Sequence, residues 1–382
     1  MYIFCRRRLH PFDIERNCIF MNRSQWGKLT LALLIAAYVA IIGTVVLIDP
    51  FEIYHKASFC IPPITNGTQN YSNAGIAKTY EYDSVVIGSS MTENFSPSQL
   101  DRLLGGQFVK LPINGGSPFN NRQMMEIAFR THDVKRVFYG VDIESLTWFY
   151  TTPKCEMPDY LYDDDLLNDT AYWFNSSVLL KYIPAALKTL GQSDPAQRDT
   201  MYNWGALYAY GKDAALRNVK ISAKEYEPLG QTQPIVLSQQ FKLNVEHNYI
   251  PFVKEHPDTE FIFFFPPYSL AHWYSFYTQS AFEYYLTQKA AVVQALLPYE
   301  NVKIYDFHAE LDWILNLDNY IDASHYGPWI NDAMVEAVAR DDYRILSVDD
   351  VLLNNQVLRE HLAYLVSCGA WPDDFSAVRA GN

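Results

Sequence analysis

Positively charged residues are scarce in this 382-residue chain, which has 30 Lys and Arg against 43 Asp and Glu and a formal net charge of -13. Binding to nucleic acid or to an anionic lipid surface requires clustered Lys and Arg, so neither is expected as the main partner. Only five Cys and nine His are present, and none has the spacing of zinc ligands. The sequence therefore predicts no metal site and no cofactor.

Charge is missing altogether from one stretch, residues 29–48, which is long enough to cross the hydrocarbon core of a bilayer as a helix. Six basic residues precede it, and Asp49 and Glu52 follow it. Because positive residues stay on the cytoplasmic side, residues 1–28 are predicted to be cytoplasmic and the chain after Pro50 extracytoplasmic. A cleaved signal peptide is the alternative, but the apolar run is long for one and no small-residue cleavage pattern follows it.

The cysteines divide in the same way between two redox compartments. Cys5 and Cys18 fall on the reducing side of the membrane, whereas Cys60 and Cys155 fall on the oxidising side in Pro-flanked stretches. A disulfide between Cys60 and Cys155 is therefore a hypothesis, with Cys368 left over.

Beyond the membrane segment, five short apolar runs have the β-branched and aromatic composition of buried parallel strands: residues 84–88, 108–111, 136–139, 261–265 and 302–305. Helical patterns separate most of them, for example residues 122–129, 238–254 and 281–297. This alternation predicts an α/β fold with a parallel sheet covered by helices on both faces. Ligands bind such sheets at the carboxyl ends of the strands, here after Ile87, Leu111, Tyr139 and Phe265.

The remaining segments complete the predicted organisation. Residues 49–80, rich in Pro, Asn, Ser and Gly, are predicted to be a juxtamembrane connector, residues 81–340 the α/β domain, and residues 341–382 a helical tail. Residues 145–235 interrupt the strand–helix alternation and are rich in Tyr and Trp. They are an insertion that forms either a cap over the active edge of the sheet or an ordinary packed helical subdomain. The Pro-rich loop 265–269 lies at the same edge and is predicted to be a rigid loop with no substrate role, the alternative being a loop that carries substrate contacts.

Two separate blocks carry residues that could perform chemistry. Gly88-Ser89-Ser90 follows the first strand, where glycine permits a tight turn and a serine is presented at the sheet edge. Asp322-Ala-Ser-His325 lies in the loop before a late amphipathic helix. A nucleophilic serine needs a base, and the base needs a carboxylate that holds its tautomer. His272 and His308 also follow predicted strands, but neither shows the Asp-x-x-His spacing.

Together these blocks resemble the SGNH (GDSL-like) hydrolase superfamily, in which the serine of a Gly-Asp-Ser-like block acts with an Asp-x-x-His near the C-terminus. The resemblance implies a flavodoxin-like three-layer domain with Ser90 as nucleophile, His325 as base and Asp322 as its carboxylate. Ser89 replaces the middle Asp, as in extracytoplasmic members such as polysaccharide O-acetyltransferases and the D-alanine-transfer protein of teichoic acid modification. The latter also resembles this chain in its single N-terminal membrane helix.

The family's oxyanion-binding residues match only in part. After the second strand the chain has Asn114-Gly115-Gly116, so Asn114 and Gly116 are candidates for oxyanion or substrate binding. After the third strand Asp142 stands where the family has an asparagine, and an ionised Asp would repel an oxyanion. Three possibilities follow: Asp142 is protonated, or it binds a substrate hydroxyl or amine, or the oxyanion is bound by the backbone N–H groups of Ser90 and Gly116.

The resemblance implies extracytoplasmic acyl transfer or ester hydrolysis, with a cell-envelope polysaccharide or teichoic acid as acceptor and a membrane acyltransferase as a possible partner. The sequence favours a bacterial source, since one Asn-x-Ser/Thr site, at Asn94, lies close to Ser90. The alternatives are a catalytically weak protein that uses the same cleft to bind an envelope polymer, and a subunit that positions another acyltransferase.

Overall fold

The structure is a computed structural model that describes residues 22–223 and 237–379. Most of the predicted cytoplasmic N-terminus, including Cys5 and Cys18, lies outside the described residues, and nothing in the structure bears on it.

A five-stranded parallel sheet forms the centre of the molecule, which confirms the α/β fold class. Its strand order is β2-β1-β3-β4-β5. Each strand differs from its prediction by only one residue at one end. The agreement is close because the apolar runs that predicted the strands are buried on both faces of the sheet. The strands are β1 Ser84–Ile87, β2 Phe108–Lys110, β3 Arg136–Gly140, β4 Glu260–Phe265 and β5 Val302–Asp306.

The described residues contain sixteen α-helices. They are α1 Arg23–Ile48, α2 Gln69–Thr79, α3 Pro97–Leu104, α4 Pro118–Thr131, α5 Thr170–Trp173, α6 Ile183–Leu187, α7 Gln197–Thr200, α8 Lys212–Ala215, α9 Gln239–Asn244, α10 Ile250–Glu255, α11 Leu270–Thr278, α12 Phe282–Leu296, α13 Leu311–Ile314, α14 Pro328–Ala339, α15 Val348–Cys368 and α16 Ser376–Arg379. Short 3-10 helices cover Ser90–Thr92, Ile143–Thr147, Asp159–Leu161, Gly205–Leu207 and Leu317–Asn319, and π-helical turns cover Val178–Tyr182 and Val245–Tyr249.

The strand order explains where a site can form. From β1 the chain crosses to β2 at one edge of the sheet, and from β2 it crosses back past β1 to β3. Because crossovers between parallel strands are right-handed, these opposite directions place α3 and α4 on opposite faces of the sheet. Helix α14 packs with α3, whereas α2 packs with α4. The direction reverses at β1, and a crevice opens outside the carboxyl end of the sheet at such a point.

The predicted helix over 238–254 is continuous but irregular. The π-helical turn Val245–Tyr249 separates α9 from α10, and Pro251 lies in the first turn of α10. Proline has no N–H to donate and its ring clashes with the preceding turn, so the wider turn accommodates it.

The prediction of a connector at 49–80 is wrong, because this segment belongs to the core. Helix α2 is largely buried, and a Cβ on its Gly75 would lie 1.9 Å from the Phe51 carbonyl oxygen. Asp49 is buried too, and its carboxylate accepts hydrogen bonds from the backbone N–H of Ile53 and Tyr54. The Asp49 carboxylate is therefore a partner of buried backbone groups at the start of this segment.

The disulfide hypothesis is also wrong in this structure, where Cys60, Cys155 and Cys368 are all free thiols. Cys60 is buried, and the backbone N–H of the neighbouring Ile61 donates a hydrogen bond to the Thr189 hydroxyl of the insertion. The Cys155 sulfur instead donates to the carbonyl of Asn114, so the two thiols have separate surroundings.

Helix α1 is long and apolar enough to cross a membrane. It begins at Arg23, earlier than the predicted residue 29, because Asn22 and Gln25 form a capping box. Residues 23–40 are exposed, whereas Val45 and Ile48 are buried against the domain. The segment after residue 341 is helical as predicted, and its α15 packs against α11 and α12.

Candidate active site

Ser90 lies at the carboxyl end of β1, two residues after a glycine whose replacement would strain the turn. Gly88 has φ +154°, and a Cβ there would lie 2.6 Å from Cγ2 of Thr92. The chain turns from Gly88 into the 3-10 helix Ser90–Thr92, and Ser89 Oγ accepts a hydrogen bond from the Met91 N–H. This turn leaves Ser90 half-buried with its side chain at the edge of the sheet.

The loop that carries His325 is held from two sides. A short antiparallel bridge joins Tyr320 to Tyr326 at its base. The 265–269 loop supports it, because Ser269 Oγ donates to the Ala323 carbonyl at 2.6 Å and the Tyr320 hydroxyl donates to the Pro267 carbonyl at 2.7 Å. The Pro-rich loop therefore positions the histidine loop.

Ser90, His325 and Asp322 form a continuous hydrogen-bonded chain. Ser90 Oγ lies 2.9 Å from His325 Nε2, and His325 Nδ1 lies 2.8 Å from Asp322 Oδ2. The other Asp322 oxygen accepts the backbone N–H groups of Ser324 and His325, each at 2.8 Å. A carboxylate on Nδ1 favours the tautomer with its proton there, which leaves Nε2 free to accept the serine proton.

The pKa shifts of the pair follow from this geometry. Burial alone would raise the pKa of Asp322, but the hydrogen bond and charge of His325 and two backbone N–H groups lower it well below its usual value. Burial alone would lower the pKa of His325, but the Asp322 carboxylate raises it above 6.5 on balance. Asp322 therefore stays ionised, and an imidazolium formed on His325 is stabilised.

A cleft of about 230 Å³ opens beside Ser90. Its lining includes three residues that sequence analysis did not single out as site residues: Asn66 of the supposed connector, and Trp204 and Tyr208 of the insertion. The Trp204 indole N–H donates to the Ser90 carbonyl at 3.1 Å, and its ring meets the His325 imidazole edge-on. The aromatic-rich pattern of residues 201–210 was the sequence signal for these two aromatic residues. The insertion reaches the site, as expected if it forms a cap.

Buried polar residues fix this part of the insertion. Asn94 Oδ1 accepts the backbone N–H groups of both Trp204 and Gly205. The fully buried Lys110 ammonium donates to three oxygens, the backbone carbonyls of Glu93 and Asp199 and the side chain of Asn203. The position of Trp204 is thus set by Asn94, which follows β1, and by Lys110, the last residue of β2.

The oxyanion donors differ from the sequence prediction. The Gly116 N–H is already bonded to the Ile113 carbonyl at 2.8 Å, so it is not available to a substrate. Asn114 does line the cleft, where its side-chain amide donates to Asn66 Oδ1. Within residues 22–223 and 237–379, no group accepts a hydrogen bond from the Ser90 N–H, which leaves it available as a donor.

Asp142 has protein partners on both carboxylate oxygens. The Tyr268 hydroxyl donates to one oxygen, and Ser89 Oγ donates to the other at 3.2 Å. Burial raises the pKa of Asp142. Asp142 is not part of the cleft lining, so the structure places it behind Ser90 instead of against a substrate.

The other candidate histidines lie away from Ser90. His308 is completely buried among aromatic rings, including Tyr268 and Trp273, so it cannot reach the cleft. His272 Nε2 lies 3.0 Å from Glu144. In the described part of the chain, no group of three or more His, Cys, Asp or Glu could hold a metal ion.

Comparison with known proteins adds little to this geometry. No family model matches the chain, and no curated protein matches it. A solved structure from Streptococcus pneumonia, described as a "putative platelet activating factor", is similar at 13% identity over 72% of this chain and 91% of its own, with a TM-score of 0.37. So distant a likeness carries no argument about function.

Proposed function

We propose that this chain is a serine-dependent acyltransferase or esterase of the SGNH type, with Ser90 as nucleophile, His325 as general base and acid, and Asp322 as the carboxylate that orients it. The observation that carries the proposal is the unbroken contact from Ser90 Oγ to His325 Nε2 and from His325 Nδ1 to Asp322. The three residues come from two blocks more than 200 positions apart, and the fold brings them together at the crevice of the sheet.

The reaction would run in two halves. His325 Nε2 takes the Ser90 proton as Oγ forms a bond to the carbonyl carbon of an ester or thioester. The Ser90 N–H donates to the developing oxyanion. The bond to the leaving group then breaks, and the leaving group takes the proton from His325. In the second half a sugar hydroxyl or water gives its proton to His325 and forms a bond to the acyl carbon. The bond from that carbon to Ser90 Oγ then breaks, and Oγ takes the proton back from His325.

For the substrate we propose a cell-envelope polysaccharide or teichoic acid. The apolar helix α1 would hold the domain at a membrane. The cleft is small and open, and the exposed Tyr208 offers a ring face of the kind that packs against sugars. The sequence resemblance to extracytoplasmic acyltransferases supports the same assignment.

A fluorophosphonate probe tests this proposal directly. The full-length protein in detergent micelles is treated with the probe and analysed by intact mass and peptide mapping. We expect one adduct on Ser90, and none on Ser90→Ala or on His325→Ala. His272→Ala is the matched histidine control and should label like wild type, because His272 pairs with Glu144 away from the cleft.

Absence of an adduct on folded wild-type protein would contradict the proposal. The cleft would then be a binding site, and the next measurement would be affinity for envelope glycans instead of turnover. An adduct on a serine other than Ser90 would equally overturn the assignment of the nucleophile.

A further inference from the structure

The insertion contains a short, predominantly apolar helical segment, Val178–Leu187. Its inner face packs into the core through Val178, Ile183 and Ala186. Its outer face is open and presents Leu180, which is 80% exposed, and Leu187, which is 43% exposed, beside the exposed Lys181. Large apolar side chains exposed together, with a lysine beside them, are typical of a helix that lies at a membrane surface.

The membrane helix lies directly beside this segment. Helix α1 contacts both α5 and α6. The ring of Tyr38 on α1 stacks on the ring of Phe174, with centroids 5.2 Å apart, although Phe174 is still 41% exposed. The open apolar face is therefore continuous with the surface that would meet lipid.

The length of the exposed part of α1 shows where the bilayer surface would lie. The uncharged stretch begins after Lys28, and its fully exposed part, residues 29–40, extends about 18 Å at 1.5 Å per residue, which is shorter than the roughly 30 Å of hydrocarbon in a bilayer. From Ile41 onward the helix begins to be covered by the domain. Lipid must therefore also surround the part of α1 that the domain begins to cover, and Phe174, which contacts Tyr38 three residues before Ile41, lies at the depth of the acyl chains.

The composition of the open face suits a helix lying at a membrane surface. Leu190, three positions after Leu187, is 60% exposed. Lys181 and Lys188 are also exposed, and their flexible stems can carry the ammonium groups to the level of the headgroups.

We propose that Phe174, Leu180, Leu187 and Leu190 form a second membrane contact, which inserts into the leaflet facing the domain beside α1. This inference is independent of the proposed acyl transfer. Its occupant is the lipid bilayer, because the face continues from a helix that is long and apolar enough to cross a membrane, and the exposed uncharged part of that helix is too short to cross it alone.

The contact would also orient the cleft. The end of the segment is tied to residues 59–61, since the Gly191 N–H donates to the Phe59 carbonyl at 2.7 Å and Thr189 Oγ1 accepts the Ile61 N–H at 3.0 Å. The same chain leads on to Asn66 in the cleft. Two membrane contacts instead of one would stop the domain from rotating about α1.

Spin-label accessibility in nanodiscs tests the proposal. Nitroxides are attached at Leu180→Cys and Leu187→Cys in a full-length chain whose native cysteines are replaced by alanine, reconstituted into nanodiscs of phosphatidylcholine and phosphatidylglycerol. Leu353→Cys is the matched control, because Leu353 is 66% exposed on α15. We expect labels at 180 and 187 to be relaxed more by oxygen than by a water-soluble nickel chelate, and the label at 353 to show the reverse. Equal chelate access at all three positions would overturn the proposal.

A second measurement needs no substitution. The wild-type chain is reconstituted in the same nanodiscs with a phospholipid that carries a photoreactive acyl chain, and crosslinked peptides are identified by mass. Crosslinks in both α1 and residues 174–190 support the proposal, whereas crosslinks confined to α1 contradict it even if the cysteine variants fail to fold.

Discussion

The indole N–H of Trp204 donates a 3.1 Å hydrogen bond to the carbonyl oxygen of Ser90, the residue whose side chain contacts His325. Trp204 belongs to the insertion and Ser90 to the turn after β1, so the candidate active site is completed by a segment outside the sheet. Only 4% of Trp204 is exposed, although it lines the cleft. Trp204 therefore holds the turn that carries Ser90 in place and packs edge-on against the His325 imidazole.

Trp204→Phe should slow the reaction of the probe with Ser90 about fivefold, since it removes one neutral hydrogen bond worth about 1 kcal/mol and keeps an aromatic ring beside His325. The measurement is the second-order rate of adduct formation. Trp148→Phe, an exposed tryptophan outside the cleft, is the control and should react like wild type. A Trp204→Phe rate equal to that of the control would show that the contact does not assist the serine.

Asp322→Asn should lower the rate of ester turnover by roughly 10³- to 10⁴-fold. An asparagine amide can donate to His325 Nδ1, which would move the ring proton to Nε2 and leave the base unable to accept from Ser90. Hydrolysis of a nitrophenyl ester by the full-length protein measures this loss, and circular dichroism checks that the variant is folded. A loss of less than tenfold would mean that Asp322 does not hold the tautomer.

The rate should rise with pH through the pKa of His325, because only the neutral imidazole accepts a proton. Asp322 raises that pKa above 6.5, so the midpoint of the wild-type profile lies above 6.5 and should move to lower pH in Asp322→Asn. Measuring the rate of adduct formation between pH 5 and pH 9 gives both midpoints. An unchanged midpoint in the variant would contradict the predicted coupling.

The same pair makes stability depend on pH in a defined direction. Because the folded-state pKa of His325 is raised, its contribution is fully present below 6.5 and is lost as pH rises through the folded value. The lowered pKa of Asp322 gives a contribution that is present above 3.8 and is lost as pH falls towards the folded value. Thermal melting should therefore show the largest difference between wild type and Asp322→Asn between these limits, from about pH 4 to pH 6.5.

Asp142→Asn should leave the rate of adduct formation within about threefold of wild type, because an amide oxygen can still accept from Ser89 or Tyr268 and no cleft surface is changed. The measurement again uses the probe, with Asp142→Ala for comparison. The alanine variant should lose about 1–3 kcal/mol of unfolding free energy, since the buried Tyr268 hydroxyl would have no acceptor. Loss of all reactivity in Asp142→Asn would instead mean that Asp142 contacts the substrate.

The fold was predictable because its strands are short, apolar and β-branched or aromatic, as in 84–87 and 260–265, and turn or helix signals bound them. The serine and histidine blocks were recognisable because each carries its chemistry within three or four consecutive residues. Local patterns of this kind can be recognised without knowledge of tertiary contacts.

The rest of the site depends on contacts between distant segments. Asn66 reaches the cleft only because 49–80 is packed into the core, which the Pro, Asn, Ser and Gly content of the segment does not show. The Gly116 prediction failed because its N–H is bonded within a local turn, which spacing alone does not show. Trp204 is placed by Asn94 and by hydrogen bonds that no periodicity encodes.

Lys110 provides the most direct test of how the insertion is attached. It ends β2 and is fully buried, and burial lowers its pKa to about 7. Its ammonium group donates to the carbonyl of Glu93, three residues after Ser90, and to Asp199 and Asn203 just before Trp204. One side chain therefore joins the serine turn to the insertion, and its removal should disturb stability and the cleft together.

Lys110→Met keeps most of the side-chain volume but leaves three oxygens without this donor, so the free energy of unfolding should fall by about 2–5 kcal/mol. Urea denaturation of the full-length protein measures this loss. Lys135→Met removes an exposed lysine that pairs with Asp133 on the surface and should denature like wild type. Under conditions where Lys110→Met is folded, its reaction with the probe should be at least about fivefold slower than that of wild type, which is the effect expected for Trp204→Phe. A destabilised variant with wild-type reactivity would show that the insertion and the serine turn are positioned independently.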